Sequence, residues 1–217
     1  MRWSCPAFLS PLGLMLSWAI ACGTSALAAD DDLADARGLW LSGKYAEALE
    51  AYEALAGADP VGAALGIAHC HASLGQSAKG ADRVAAALKQ HGDHAELHAL
   101  AASLALARGD YPTADAESAE AIKLERDQLR ARWVQAERYR LDGKLEAADA
   151  AYKWFIDYYN DHDVERPEDL VFIGRAAAMA ARWNRWSDQF TFLVNELYPS
   201  ATELDEHYWP AHYEAGL

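Results

Sequence analysis

Residues 139–160 read YRLDGKLEAADAAYKWFIDYYN. Gly143 interrupts two runs of good helix formers. Leu145, Ala148 and Tyr152 follow it at intervals of three and four, which puts them on one face of a helix. Similar arrangements stand upstream. Residues 39–60 (LWLSGKYAEALEAYEALAGADP) carry Gly43, Tyr45, Ala48 and Tyr52. Residues 104–125 (LALARGDYPTADAESAEAIKLE) carry Gly109, Tyr111 and Ala114, with Ser118 at the last aromatic position. Residues 71–92 (HASLGQSAKGADRVAAALKQHG) are the most degraded copy, with Gly75 followed by Ser77, Gly80 and Val84. The four glycines lie 32, 34 and 34 residues apart. A period of this size marks stacked repeats rather than one compact globule.

Each copy reads as helix A, a tight turn and helix B. Glycine permits the positive φ needed to leave helix A abruptly. A small residue at Ala48, Ala114 or Ala148 lets helix B approach helix A closely, and a ring at Tyr52 or Tyr152 fills the gap toward the next copy. Each hairpin leaves one apolar face bare, so the copies must stack. Composition agrees. Ala, the best helix former, is the commonest residue and Val, Ile and Thr are scarce, which points to an all-α chain. A hydrophobic share of 52% argues against wholesale disorder. A net charge of −14 makes the bulk surface a poor match for nucleic acid.

The Gly-x-Tyr/Leu-x-x-Ala-x-x-x-Tyr motif and its period resemble the tetratricopeptide repeat (TPR) family over about residues 29–162. Pro60 stands where that family often places an inter-repeat proline, while its aromatic near the start of helix A is absent from all four copies. The resemblance implies an all-α, right-handed solenoid of stacked antiparallel helix pairs. The repeats fall at about 29–60, 61–94, 95–128 and 129–162. A divergent fifth repeat is expected over 163–203, after a polar inserted loop at Asn160–Pro167. Its helix A runs from about Pro167 to Trp183 and its helix B from about Trp186 to Tyr198. Asn184 is expected at the glycine position, Gln189 in place of the small Ala, and Pro199 as the end of helix B. Residues 204–217 read as the start of an incomplete further helix, expected either because the chain is the N-terminal part of something longer or a truncated reading frame, or because Leu217 is the true end and the half-repeat packs as a cap.

Residues 1–28 read as an address. Arg2 supplies a positive start, an interrupted apolar run follows from Pro6 to Ala21, and Ser25-Ala26-Leu27-Ala28 offers small residues for cleavage after Ala28. This layout predicts export, to the periplasm of a bacterium or beyond, without a membrane span in the mature chain. Ala19-Ile20-Ala21-Cys22-Gly23 also resembles a bacterial lipobox, the alternative being a lipid anchor at Cys22. Cleavage removes Arg2 and no acid, taking the net charge from −14 to −15. It leaves Cys70 alone, so no internal disulfide can form.

TPR-type repeats hold extended peptides against helix A. In the fourth copy helix A places Arg130, Trp133, Glu137 and Arg140 on one face. Equivalent positions upstream are Leu33, Arg37 and Trp40, then Leu65 and His69, then Ala99 and Ser103. Arg182 lies near the corresponding end of the fifth helix A. Such a basic, aromatic face suits an acidic side chain or a free carboxylate. The competing reading is a solvated face paired locally with Glu137 and Asp142. The family's Lys/Asn carboxylate-clamp pattern is not reproduced. Residues 152–213 hold 14 of the 23 aromatic residues, either wrapped by the fifth repeat or exposed as a patch. His69-Cys70-His71 and His91, His94 and His98 read as packing and surface residues rather than metal ligands. No cofactor fingerprint and no catalytic set is present. The expected function is an exported scaffold that binds a protein or peptide partner in its concave groove. The alternative is the arm of a longer exported enzyme, such as a peptidase, with its catalytic domain beyond Leu217.

Overall fold

The computed structural model describes residues 31–216. The expected leader, its expected cleavage site after Ala28, Cys22 and Leu217 lie outside the described residues. Within them the chain is helical throughout, with no strand. Helix α1 covers residues 31–41 and α2 covers Tyr45–Leu55. The pairs that follow are α3 (Pro60–Ser73) with α4 (Ser77–Leu88), and α5 (Ala95–Ala107) with α6 (Tyr111–Leu124). Next come α7 (Leu129–Leu141) with α8 (Leu145–Asp161). Helix α9 (Pro167–Asn184) is answered by α10 (Ser187–Phe192), a π-helical turn over Leu193–Leu197, and α11 (Tyr198–Leu204). Helix α12 (Trp209–Ala215) starts a further layer.

The first four hairpins share one turn. Gly43, Gly75, Gly109 and Gly143 take φ values of 72 to 77°. In the first turn Lys44 N–H donates to Leu39 C=O, five residues back, and Gly43 N–H to Trp40 C=O, both at 3.0 Å. The same pair of bonds recurs after Gly75, Gly109 and Gly143. This Schellman closure satisfies helix-end carbonyls and needs a left-handed residue. Close packing explains the small residues: Ala48, Ala114 and Ala148 are fully buried. In the degraded second copy Gly80 does the same, because an added Cβ would sit 3.0 Å from the Ala68 carbonyl oxygen. Tyr52 lies flat on Gly66 of the next hairpin, where a Cβ would come within 2.3 Å of the ring.

The fifth hairpin departs from the expected details. The left-handed residue is Arg185 (φ 60°), not Asn184. Asn184 remains the last helical residue, its amide nitrogen donating to Asp149 and to Ala180 C=O at 2.8 Å while its oxygen accepts from Lys153 at 3.0 Å. Phe190, rather than Gln189, therefore falls in the small-residue register, and it is exposed. Nor does Pro199 end the helix, which continues to Leu204. Proline lacks an N–H and crowds the carbonyl four residues back. The π-turn, in which Tyr198 N–H donates to Leu193 C=O, widens the backbone just before it.

The aromatic-rich helix α8 is mostly wrapped. Tyr152 and Phe155 are fully buried. The Arg132 guanidinium covers Trp154 at 3.9 Å, Tyr158 stacks on His162 at 4.2 Å, and Tyr159 meets Phe192 edge-on at 6.0 Å. The arc of hairpins curves until its ends meet. Arg37 of α1 donates to Glu168 of α9 at 2.7 Å and to Asp205, just before α12, at 2.5 Å.

Candidate functional site

The A helices α1, α3, α5, α7 and α9 turn one side toward the inside of this arc. There they enclose a cavity of about 450 Å³, closed on one flank by Tyr208, Trp209 and Pro210. Its basic wall comes from Arg37, Arg130, Arg166 and Arg175, and its acids are Glu96 and Glu168. Its apolar wall includes Leu33, Trp40, Leu65, Val171, Phe172 and Tyr208. Trp40 stacks on His69 with ring centres 5.5 Å apart and donates through its indole N–H to Ser73 at 2.9 Å.

Three of the four arginines are committed. Arg37 holds Glu168 and Asp205, and these bonds outweigh burial to raise its pKa. Arg166 reaches Glu96 at 3.3 Å and Arg175 reaches Glu214 at 2.6 Å. Arg130 differs. Among the described residues no carboxylate or carbonyl bonds it, and its guanidinium lies 5.4 Å from the centre of the Phe172 ring. Burial pulls the Arg130 pKa below its ordinary value despite the fields of Glu96, Tyr208 and Glu168. It also sits in the first turn of α7, where the helix dipole disfavours a cation. His69 registers the same surroundings. Burial first, then the charges of Arg130 and Arg37, push its pKa down to about 3, so the ring is neutral at ordinary pH.

The residues read from the sequence divide. Arg37, Trp40, His69 and Arg130 line the cavity, with Leu33 and Leu65. Trp133, Glu137 and Arg140 share the α7 face but form a separate cluster. Glu137 accepts from the Arg140 guanidinium at 2.6 Å and from the Tyr152 hydroxyl. Trp133 packs on Tyr152 at 5.9 Å, and Trp183 closes the other side at 5.4 Å. Arg140 is thus spent on a local pair rather than left free. Arg182 is exposed and does not line the cavity. Ala99 is fully buried.

Sequence reasoning missed Glu96, Arg166, Glu168, Phe172, Arg175 and the Tyr208–Pro210 flank. Part of a signal existed: Glu168, Phe172 and Arg175 recur at helical spacing from the start of α9. The contribution of the flank follows from curvature, which no local spacing encodes.

No family model matches the chain, and no curated protein matches it. Solved structures do. A thermophilic TPR protein from Thermus thermophilus superposes with a TM-score of 0.60 at 14% identity, over 87% of this chain and 97% of that one. A tetratricopeptide repeat protein from Parabacteroides merdae ATCC 43184 gives 0.58 at 14% identity, over 87% and 76%. MamA gives 0.50 at 16% identity, over 83% and 94%. The architecture is therefore the TPR-type α-solenoid.

Proposed function

We propose that this chain is a binding scaffold without catalytic chemistry, and that a protein or peptide partner engages its concave helix-A face. The observation that carries this reading is the cavity itself. Five A helices from successive hairpins converge on one concave space walled by rings and guanidinium groups. Concave, largely apolar spaces with a few placed polar groups are where ligands bind. The TPR-type fold supports the same reading, since its stacked hairpins make an extended concave surface. The scaffold works outside the cytoplasm, on the strength of the leader pattern at residues 1–28. No described helix is long and apolar enough to cross a membrane.

A photo-crosslinking amino acid placed at Phe172, inside the cavity, or at Arg182, outside it, tests the concave-face reading in expressing cells. The expected result is a discrete crosslinked product at 172 and none at 182. Equal labelling at both positions, or labelling at 182 alone, would remove the concave face as the partner site. Mass spectrometry of the mature N-terminus tests export: a chain starting at Ala29 fits cleavage after Ala28, an acylated Cys22 fits a lipid anchor, and an intact Met1 contradicts both.

A further inference from the structure

Among the described residues, Arg130 is the one guanidinium in the cavity that the fold leaves unmatched. Its position is unfavourable for a cation: the side chain is half-buried in the cavity wall, and it stands at the positive end of a helix dipole. A charge held in such a place is completed by a ligand that brings the opposite charge and acceptor atoms. A carboxylate fits, because its two oxygens match the fork of a guanidinium. The rest of the cavity describes the remainder of that ligand. Trp40 and His69 stack on each other in the wall, Phe172 borders the guanidinium, and Tyr208 lines the far side. Flat walls of this kind suit a flat apolar body. The volume, about 450 Å³, lies in the range of sites that hold a small molecule or one end of a peptide. The ion pairs of Arg37 to Glu168 and Asp205 limit the opening on that side. The two acids of the wall spend their hydrogen bonds elsewhere, Glu96 on Arg166 and Glu168 on Arg37, and act on Arg130 only through space.

We propose that the cavity is a subsite for a single aromatic carboxylate, anchored by Arg130 and enclosed by Trp40, His69, Phe172 and Tyr208. This rests on the concave-face reading and names the group that face takes. The group has two possible sources: a free aromatic acid, or the C-terminal residue of a protein partner ending in an aromatic side chain. The depressed pKa of His69 agrees, because a neutral ring offers a stacking face without competing for the anion.

Calorimetric titration of the purified chain decides it. The probes are indole-3-acetate, its methyl ester, and the tripeptide Gly-Gly-Trp with a free or an amidated C-terminus. Indole-3-acetate is expected to bind and the ester to fail. Arg130→Gln should weaken binding about tenfold or more, the loss of a charge-assisted contact. Arg130→Lys should weaken it less, because charge survives without the fork. Arg140→Gln, outside the cavity, should leave it within about twofold. Tighter binding of free Gly-Gly-Trp than of indole-3-acetate assigns the group to a partner's terminus, and the reverse assigns it to a free acid. Ester and acid binding alike, equal losses at Arg130 and Arg140, or no binding of either free-carboxylate probe would overturn the subsite. The crosslinking result at Phe172 would stand independently of that failure.

Discussion

Arg130 and Arg140 lie on one face of α7, yet the two ends of that face do different work. Around Arg140 every charge has a local partner: Glu137 accepts from Arg140 and from the Tyr152 hydroxyl, and Trp133 and Trp183 seal the ring of Tyr152. Around Arg130 there are walls and space but, among the described residues, no partner. The first end is completed by the fold itself; the second is the end to which we assign an occupant. The difference teaches that a shared helix face is not a shared function. What matters is whether the fold itself completes each charge.

The comparison can be broken most severely at the stable end. Tyr152→Ala removes a fully buried ring that joins α7, α8 and α9, and is expected to cost about 3–5 kcal/mol. Denaturant unfolding measures it. A loss below about 1 kcal/mol would mean the cluster is not structural. Glu137→Ala leaves the Arg140 guanidinium and a buried hydroxyl without their acceptor, and should cost about 1–3 kcal/mol. The same measurement checks it, and binding of an aromatic acid should survive in the folded fraction.

The open end is tested through pH. The His69 pKa is depressed to about 3, below the value the unfolded chain has. Its contribution to stability is therefore intact above the ordinary histidine range, about 6.5, and is lost progressively as pH falls toward 3. Arg130 is part of the cause, after burial. In Arg130→Met the His69 resonances should titrate at a higher pH than in the unaltered chain, and the acid-side loss of stability should shrink. An unchanged His69 titration would show that the charge of Arg130 is not felt in the cavity. His98 behaves oppositely. Burial disfavours its charge, but its ring nitrogens face the Gly92 carbonyl at 3.0 Å and Glu117 at 2.6 Å, which raise its pKa. Its contribution is full below the ordinary histidine range and fades as pH rises through the raised value. The smallest expected effect is at Arg182. Exposed and outside both ends of the comparison, Arg182→Ala should change stability by no more than about 0.5 kcal/mol.

How much of this is legible in the sequence follows from the range of each interaction. The four turns are readable because a Schellman closure needs its left-handed residue within a few positions of the helix end it caps. The face of α7 is readable from spacing alone. Glu137 beside Arg140 is readable as a pair three residues apart. The neighbours of Arg130 are not, because Glu96, Phe172 and Tyr208 reach it from α5, α9 and the segment before α12. Only the curvature of the stacked hairpins brings those together. The fifth turn falls one residue later than local rules place it, for a similar reason. Asn184 tolerates a left-handed backbone, but its side chain is held by Asp149 and Lys153 from α8, and Arg185 makes the turn instead. Pro199 reads as a stop because local rules do not foresee a π-turn placed to accommodate it.

The most direct test compares the two arginines as supports of the fold. Thermal unfolding of Arg130→Met and Arg140→Met, side by side and without ligand, measures what each charge contributes. Arg140→Met is expected to lower the melting temperature by several degrees, because the mostly buried Glu137 loses its cation, at about 2–4 °C for each kcal/mol in a chain of this size. Arg130→Met is expected to melt at the same temperature or higher, because a cation that no described residue bonds, set in the first turn of a helix, has been replaced by an apolar side chain. A fall in Arg130→Met equal to that in Arg140→Met would contradict the claim that the fold leaves Arg130 for something else to complete.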